Sequence, residues 1–210
     1  MREISPAKNM SAEEFLSHAP KQWQEATQRL REEKRRGTRP RPSAALLDDL
    51  ATVLTPDVRR ALIDHIAALV DENLFGRGEM CMQFAELLHL SLGRLKFPSR
   101  VVLGTALYFH EGREAHRWGH AWVRVGAEVI DANVDSLSEN PFVPPTVRPR
   151  PYWGPIDQTP QDRRLIPNLT AALNPDDDVA SIWWPELLEW IDRDLLKIAA
   201  ADPPASPASA

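Results

Sequence analysis

Apolar residues change period several times along the chain, and each change marks an element. From Phe84 they fall at Phe84, Leu87, Leu88, Leu92 and Leu95, the spacing of one face of an amphipathic helix. Gly76 and Gly78 interrupt the chain just upstream, with Gly78 a candidate N-cap, which places Cys81 in the first turn. A second stripe, Val58, Leu62, Ile66, Leu69 and Val70, predicts a helix from Thr55 to Phe75 that packs on the Cys81 helix. Thr55 is its expected N-cap, with Pro56 at the first helical position and Asp57 in the first turn. Further helices are predicted over Lys21–Arg36, over Ser43–Leu54, and from Trp184 or Pro185 to Ala200 on the stripe Leu187, Leu188, Ile191, Leu195 and Ile198. Ser11-Ala12-Glu13-Glu14 has capping-box form and opens a short helix that ends at Pro20.

Elsewhere the period is two. Val101–Phe109 reads as a strand, and Arg117–Val125 and Glu128–Val134 as two more, separated by Gly126 and Ala127 in a tight-hairpin pattern. A two-residue turn sets Val123 opposite Ile130, Trp122 opposite Asp131, Ala121 opposite Ala132 and His120 opposite Asn133. One face is then Ala121, Val123, Val125, Ile130, Ala132 and Val134, wholly apolar. The other carries His120, Trp122, Arg124, Asp131 and Asn133. A three-residue turn would expose half the apolar set. The hydrophobic pattern therefore selects the register in which His120 and Asp131 are diagonal neighbours on one face, within reach of a hydrogen bond. These three strands predict a small antiparallel sheet, with His110–Gly119 as a mobile loop over the site that His120 and Asp131 share. Pro141 to Pro175 holds nine prolines and little periodicity, and is expected to be an extended segment wrapping the core.

Composition narrows the classes of function. Of the 210 residues, 43% are apolar and 26% charged, as in an ordinary globular protein. The net charge of −5 argues against general nucleic-acid affinity. Residues 1–42 carry ten Lys and Arg against six Asp and Glu. This basic arm ends in the linker pattern GTRPRPS and is a candidate dock for an acidic partner. No apolar run approaches a membrane span, and the first residues lack a signal peptide's apolar region. A single cysteine allows no internal disulfide, which fits a reducing compartment. The expectation is a cytoplasmic protein; a leaderless secreted effector would carry the same signals.

The chemistry concentrates between Gly76 and Asn133. Unpaired N–H groups and the positive dipole end of a helix favour a thiolate over a thiol at Cys81. With His120 as base and Asp131 as its orienter, the three supply a nucleophilic triad. Asn133 is a reserve orienter, and Trp118 and Trp122 are candidate walls of a substrate cleft. The run HEGREAHRWGH holds three histidines, but Gly112 and the six-residue step from His110 to His116 do not suit a helical zinc site. No metal and no cofactor is expected. His65 and His89 fall inside helices and are expected to be structural or exposed.

Cys81 at a helix start, the helix running into LKFPSRVVLG, then GHAWV and VIDAN, resemble the core of the transglutaminase-like branch of the papain-like superfamily. The likeness covers about sixty residues. It departs from the family where many members have a Trp close before the cysteine, since this chain has Leu74 and Phe75 there. The resemblance implies an α+β fold in which the nucleophile helix packs on a small antiparallel sheet, with N-terminal helices added. It implies a Cys81–His120–Asp131 triad and acyl transfer on the amide of a protein or peptide through a thioester. Hydrolysis is the expected outcome, as in a protease, amidase or deamidase. The alternatives are transglutaminase-type cross-linking and a non-catalytic scaffold that keeps the fold. The expected organisation is an arm over 1–42, a catalytic domain over 43–200 with a Pro-rich wrap at 135–180 and a C-terminal helix, and a disordered tail over 201–210.

Overall fold

A computed structural model describes residues 18–72, 76–170 and 178–201. The capping-box segment Ser11–Glu14, Leu74 and Phe75, and the tail after Ala201 lie outside the described residues. The chain divides into two compact units, Met1–Arg39 and Pro40–Ala210. The described part of the first is helix α1, Lys21–Arg36, closed by Gly37 in the left-handed conformation (φ 66°) after a last turn of Lys34, Arg35 and Arg36. Glycine takes that conformation without the Cβ penalty of other residues, and the basic turn complements the negative end of the helix dipole.

The second unit is α+β, with helices packed on a five-stranded antiparallel sheet. Helix α2 is Pro56–Glu72 and helix α3 is Cys81–Arg94. The strands are β1 Ser99–His110, β2 Arg113–Val125, β3 Glu128–Asp131, β4 Tyr152–Pro155 and β5 Arg163–Thr170, in the order β4-β3-β2-β1-β5. The main core lies between the helices and one face of the sheet. Leu62, Ile66, Leu87, Leu88 and Leu92 meet Val101, Ala121, Val123, Val125 and Ile130 there.

Sequence and structure differ at several places, each for a physical reason. The Pro-rich stretch supplies both edge strands, β4 against β3 and β5 against β1, where a proline costs fewest ladder bonds. The stretch 110–119 is not a loop: Glu111 (φ 50°) and Gly112 (φ 75°) form a two-residue turn, as a hairpin with two left-handed central residues does. Strand β2 therefore starts at Arg113. Ser43–Leu54 is not a helix beyond the short 3₁₀ turn Pro42–Ala45. The carbonyls of Asp48, Ala51, Val53 and Leu54 instead accept hydrogen bonds from the buried Arg59 guanidinium. Thr55 does precede α2, but its Oγ1 has no partner among the described residues and caps nothing.

The C-terminal helix is longer and less regular than its stripe predicts. Its pieces are the π turn Val179–Trp183, helix α4 Trp184–Trp190, the π turn Ile191–Leu195 and helix α5 Leu196–Ala201. Val179, Trp183, Leu187, Ile191 and Leu195 are all buried and recur every fourth residue. In a regular α-helix that spacing drifts by about 40° per step. The wider π turns take up the drift and hold the five on one face.

Candidate active site

The β2–β3 hairpin has the register that the apolar pattern requires: Val123 pairs with Ile130, Arg124 with Val129 and Val125 with Glu128. Gly126 takes the first turn position with φ 56°. Strand β3 ends at Asp131, before a 3₁₀ helix at Val134–Glu139. The expected pairs Trp122–Asp131, Ala121–Ala132 and His120–Asn133 are therefore not part of the ladder. Val134 packs in a separate apolar cluster with Ala106, Tyr108 and Leu137, not on the hairpin's core face.

That early end serves the site. His120 Nε2 and Asp131 Oδ1 are 2.8 Å apart, with both side chains almost fully buried. The other ring nitrogen is left for Cys81, whose thiol hydrogen-bonds to His120. The backbone N–H of Ala121, which β3 does not claim, also donates to the Cys81 sulfur. Cys81 is the first residue of α3 and is half-buried. Its own N–H has no intrahelical acceptor and is available to a developing oxyanion. Met80, not Gly78, holds the N-cap position and makes no side-chain cap bond. The loop before Cys81 is held from another direction. Arg77 is buried and forks onto Asp135 at 2.7 and 3.1 Å.

Asn133 belongs to that support. Its Oδ1 accepts from Arg77 Nη1 at 3.1 Å and its Nδ2 donates to the Arg77 carbonyl, so it does not orient His120. Trp122 is buried with Val102, Val129 and Tyr152. Trp118 is half-buried and stacks on His116 at 5.6 Å between ring centroids. His65 stacks on Trp190 at 4.0 Å, and His89 Nδ1 lies 2.8 Å from Ser99 Oγ. Both have the structural roles expected of them. Among the described residues, no group of three His, Cys, Asp or Glu side chains could hold a metal ion.

One member of the site escaped the sequence reading. Arg163, at the start of edge strand β5, places Nη1 2.7 Å from Asp131 Oδ2. Its guanidinium also bonds Asp162 and the Arg150 carbonyl. The sheet is curled enough for a residue of one edge strand to reach the end of β3. The only hint in the sequence is an arginine at the head of the alternating run Arg163, Leu165, Pro167, too weak a signal to single it out.

The electrostatics follow from this chain of contacts. Burial disfavours an imidazolium at His120, but the Asp131 charge and hydrogen bond, with a smaller effect from Cys81, reverse this and raise its pKa to about 10. Burial likewise pushes the Cys81 thiol up. The hydrogen bond and charge of His120 and the Ala121 N–H outweigh that, leaving it below its ordinary value even though Glu79 opposes them. Burial would raise Asp131, yet His120 and Arg163 together hold its carboxyl below the usual range. These contacts favour the charged pair, a thiolate beside an imidazolium, backed by a carboxylate and a guanidinium.

The described chain is an α+β protein in which a half-buried cysteine at the start of a helix meets a buried His–Asp–Arg set from three strands. No family model, no curated protein and no solved structure matches it. Among the described residues, no helix is long and apolar enough to cross a membrane.

Proposed function

We propose that the protein is a cysteine-dependent enzyme of amide acyl transfer, with a transglutaminase-like core, and that hydrolysis of a protein or peptide amide is its reaction. The observation that carries this reading is the continuous contact from Cys81 to His120 to Asp131, which unites a nucleophile, a base and an orienter. In this reading the Cys81 thiolate attacks the amide carbonyl carbon. The carbonyl electron pair moves to oxygen, which the Cys81 N–H stabilises. Collapse breaks the C–N bond, and the amine leaves with the proton from His120. A thioester remains. Water, deprotonated by His120, attacks it and releases a carboxylate and the Cys81 sulfur. A primary amine in place of water would give cross-linking, but no feature of the described residues marks an amine site.

The test is the rate of Cys81 alkylation by iodoacetamide against pH, in wild type and in His120→Ala. A single cysteine makes the readout unambiguous. Wild type should react as a thiolate well below the free-thiol value of about 8.5, and His120→Ala should move the profile up to or beyond it. A thiol that reacts only on unfolding would sink the enzyme reading and favour a scaffold that keeps its cysteine in the core.

A further inference from the structure

On the sheet face that carries Trp122 and Arg124, next to Arg163, lies an open cavity of about 210 Å³. Its apolar walls are Trp122, Val129, Ile156, Leu165 and Pro167. Trp122 reaches this position because Gly104, two strands' width from β3, has no Cβ. A Cβ there would lie 2.5 Å from the Trp122 ring. Of the described residues lining the cavity, three are arginines, Arg124, Arg163 and Arg164, and none is acidic.

These arginines differ in what they already hold. Arg163 is committed to Asp131 and Asp162. Arg164 is exposed and lies over the Phe109 ring. Arg124 is half-buried, and its Nε is fully shielded with no hydrogen-bond partner among the described residues. That guanidinium therefore lacks a protein acceptor at its shielded nitrogen, and an anion against the rest of the group would balance its charge. The β1–β2 register adds a second, independent sign. Arg100 stands directly opposite Arg124, and like charges in facing positions destabilise a sheet unless something offsets them. A bound anion would offset both.

We propose that this cavity is a binding site for a small carboxylate with an apolar body, its carboxylate on Arg124 and its body against Trp122 and Leu165. A terminal carboxylate on an apolar residue of a peptide and a free apolar acid share this chemistry. The site is separate from Cys81, and its occupancy can be measured whether or not the cysteine is a nucleophile.

The experiment titrates the full chain with hexanoate, with N-acetyl-leucine, with the neutral hexanamide and with inorganic phosphate, followed by calorimetry. Saturable binding of hexanoate is expected, weaker by about tenfold or more in Arg124→Gln. Hexanamide and phosphate should each bind correspondingly more weakly to wild type. N-acetyl-leucine binding tighter than hexanoate would identify a peptide terminus as the source; the reverse order would identify a free acid. No saturable binding of either carboxylate would overturn the proposal. So would hexanamide binding as well as hexanoate, a comparison on wild type that needs no variant to fold, or phosphate doing so.

Discussion

Asp131 is the residue on which the site turns, because its two oxygens face different partners. Oδ1 orients His120 and Oδ2 is held by Arg163. Replacing Arg163 by Met would leave a buried carboxylate half unpaired. It should cost about 3–5 kcal/mol of stability, read from urea unfolding; a loss near zero would mean that Asp131 finds another partner. The pH dependence of stability follows from the directions of the shifts. His120 is raised from 6.5 to about 10, so its contribution is complete below 6.5 and is lost as pH rises through 10. Cys81, lowered from 9.0, has the opposite sign: its contribution is complete above 9.0 and is lost as pH falls through its lowered pKa. The two offset each other in wild type at neutral to mildly alkaline pH. In Cys81→Ser the histidine keeps the part of its rise that Asp131 supplies, so unfolding free energy should fall steadily as pH rises above about 6.5. A flat profile in that variant would show that Asp131 does not hold a charged imidazole.

Among the elements, the β1–β5 seam is the sensitive joint, since β5 delivers Arg163. Gly104 lies at the point of closest approach: a Cβ there would fall 2.1 Å from the Ile166 carbonyl oxygen as well as against Trp122. Backbone cannot yield as a flexible side chain does. Gly104→Ala should therefore destabilise the protein by about 1–3 kcal/mol and, by displacing β5, move the Cys81 alkylation profile upward. A variant with an unchanged melting temperature and profile would show that the seam yields without strain. The hairpin lies at the other extreme. Alternation of Ala121, Val123 and Val125 against Ile130 was enough to read its register, because a one-residue slip would turn every apolar side chain outward.

The whole of the second unit depends on the proline-rich stretch. Between Pro141 and Pro175 lie both edge strands, the buried Trp153 that donates to Glu128 at 3.0 Å, and Arg163. Glu128 in turn accepts from Thr52 and Val53, so the stretch also ties down the loop before α2. Deleting 141–175 should give an unfolded chain by circular dichroism. A folded product with a faster-reacting Cys81 would show instead that the stretch is a removable cover.

Local pattern alone determined the amphipathic helix that begins at Cys81, the two-residue hairpin and the shared face of His120 and Asp131. Each depends on a short-range period and a turn that neighbouring residues impose. Tertiary structure alone decided where β3 stops, that Asn133 serves Arg77, that Ser43–Leu54 yields its carbonyls to Arg59, and that Arg163 completes the site. These depend on partners from 5 to 56 residues apart in the chain. No local period encodes such contacts, because the partners become neighbours only when the sheet curls and the core closes.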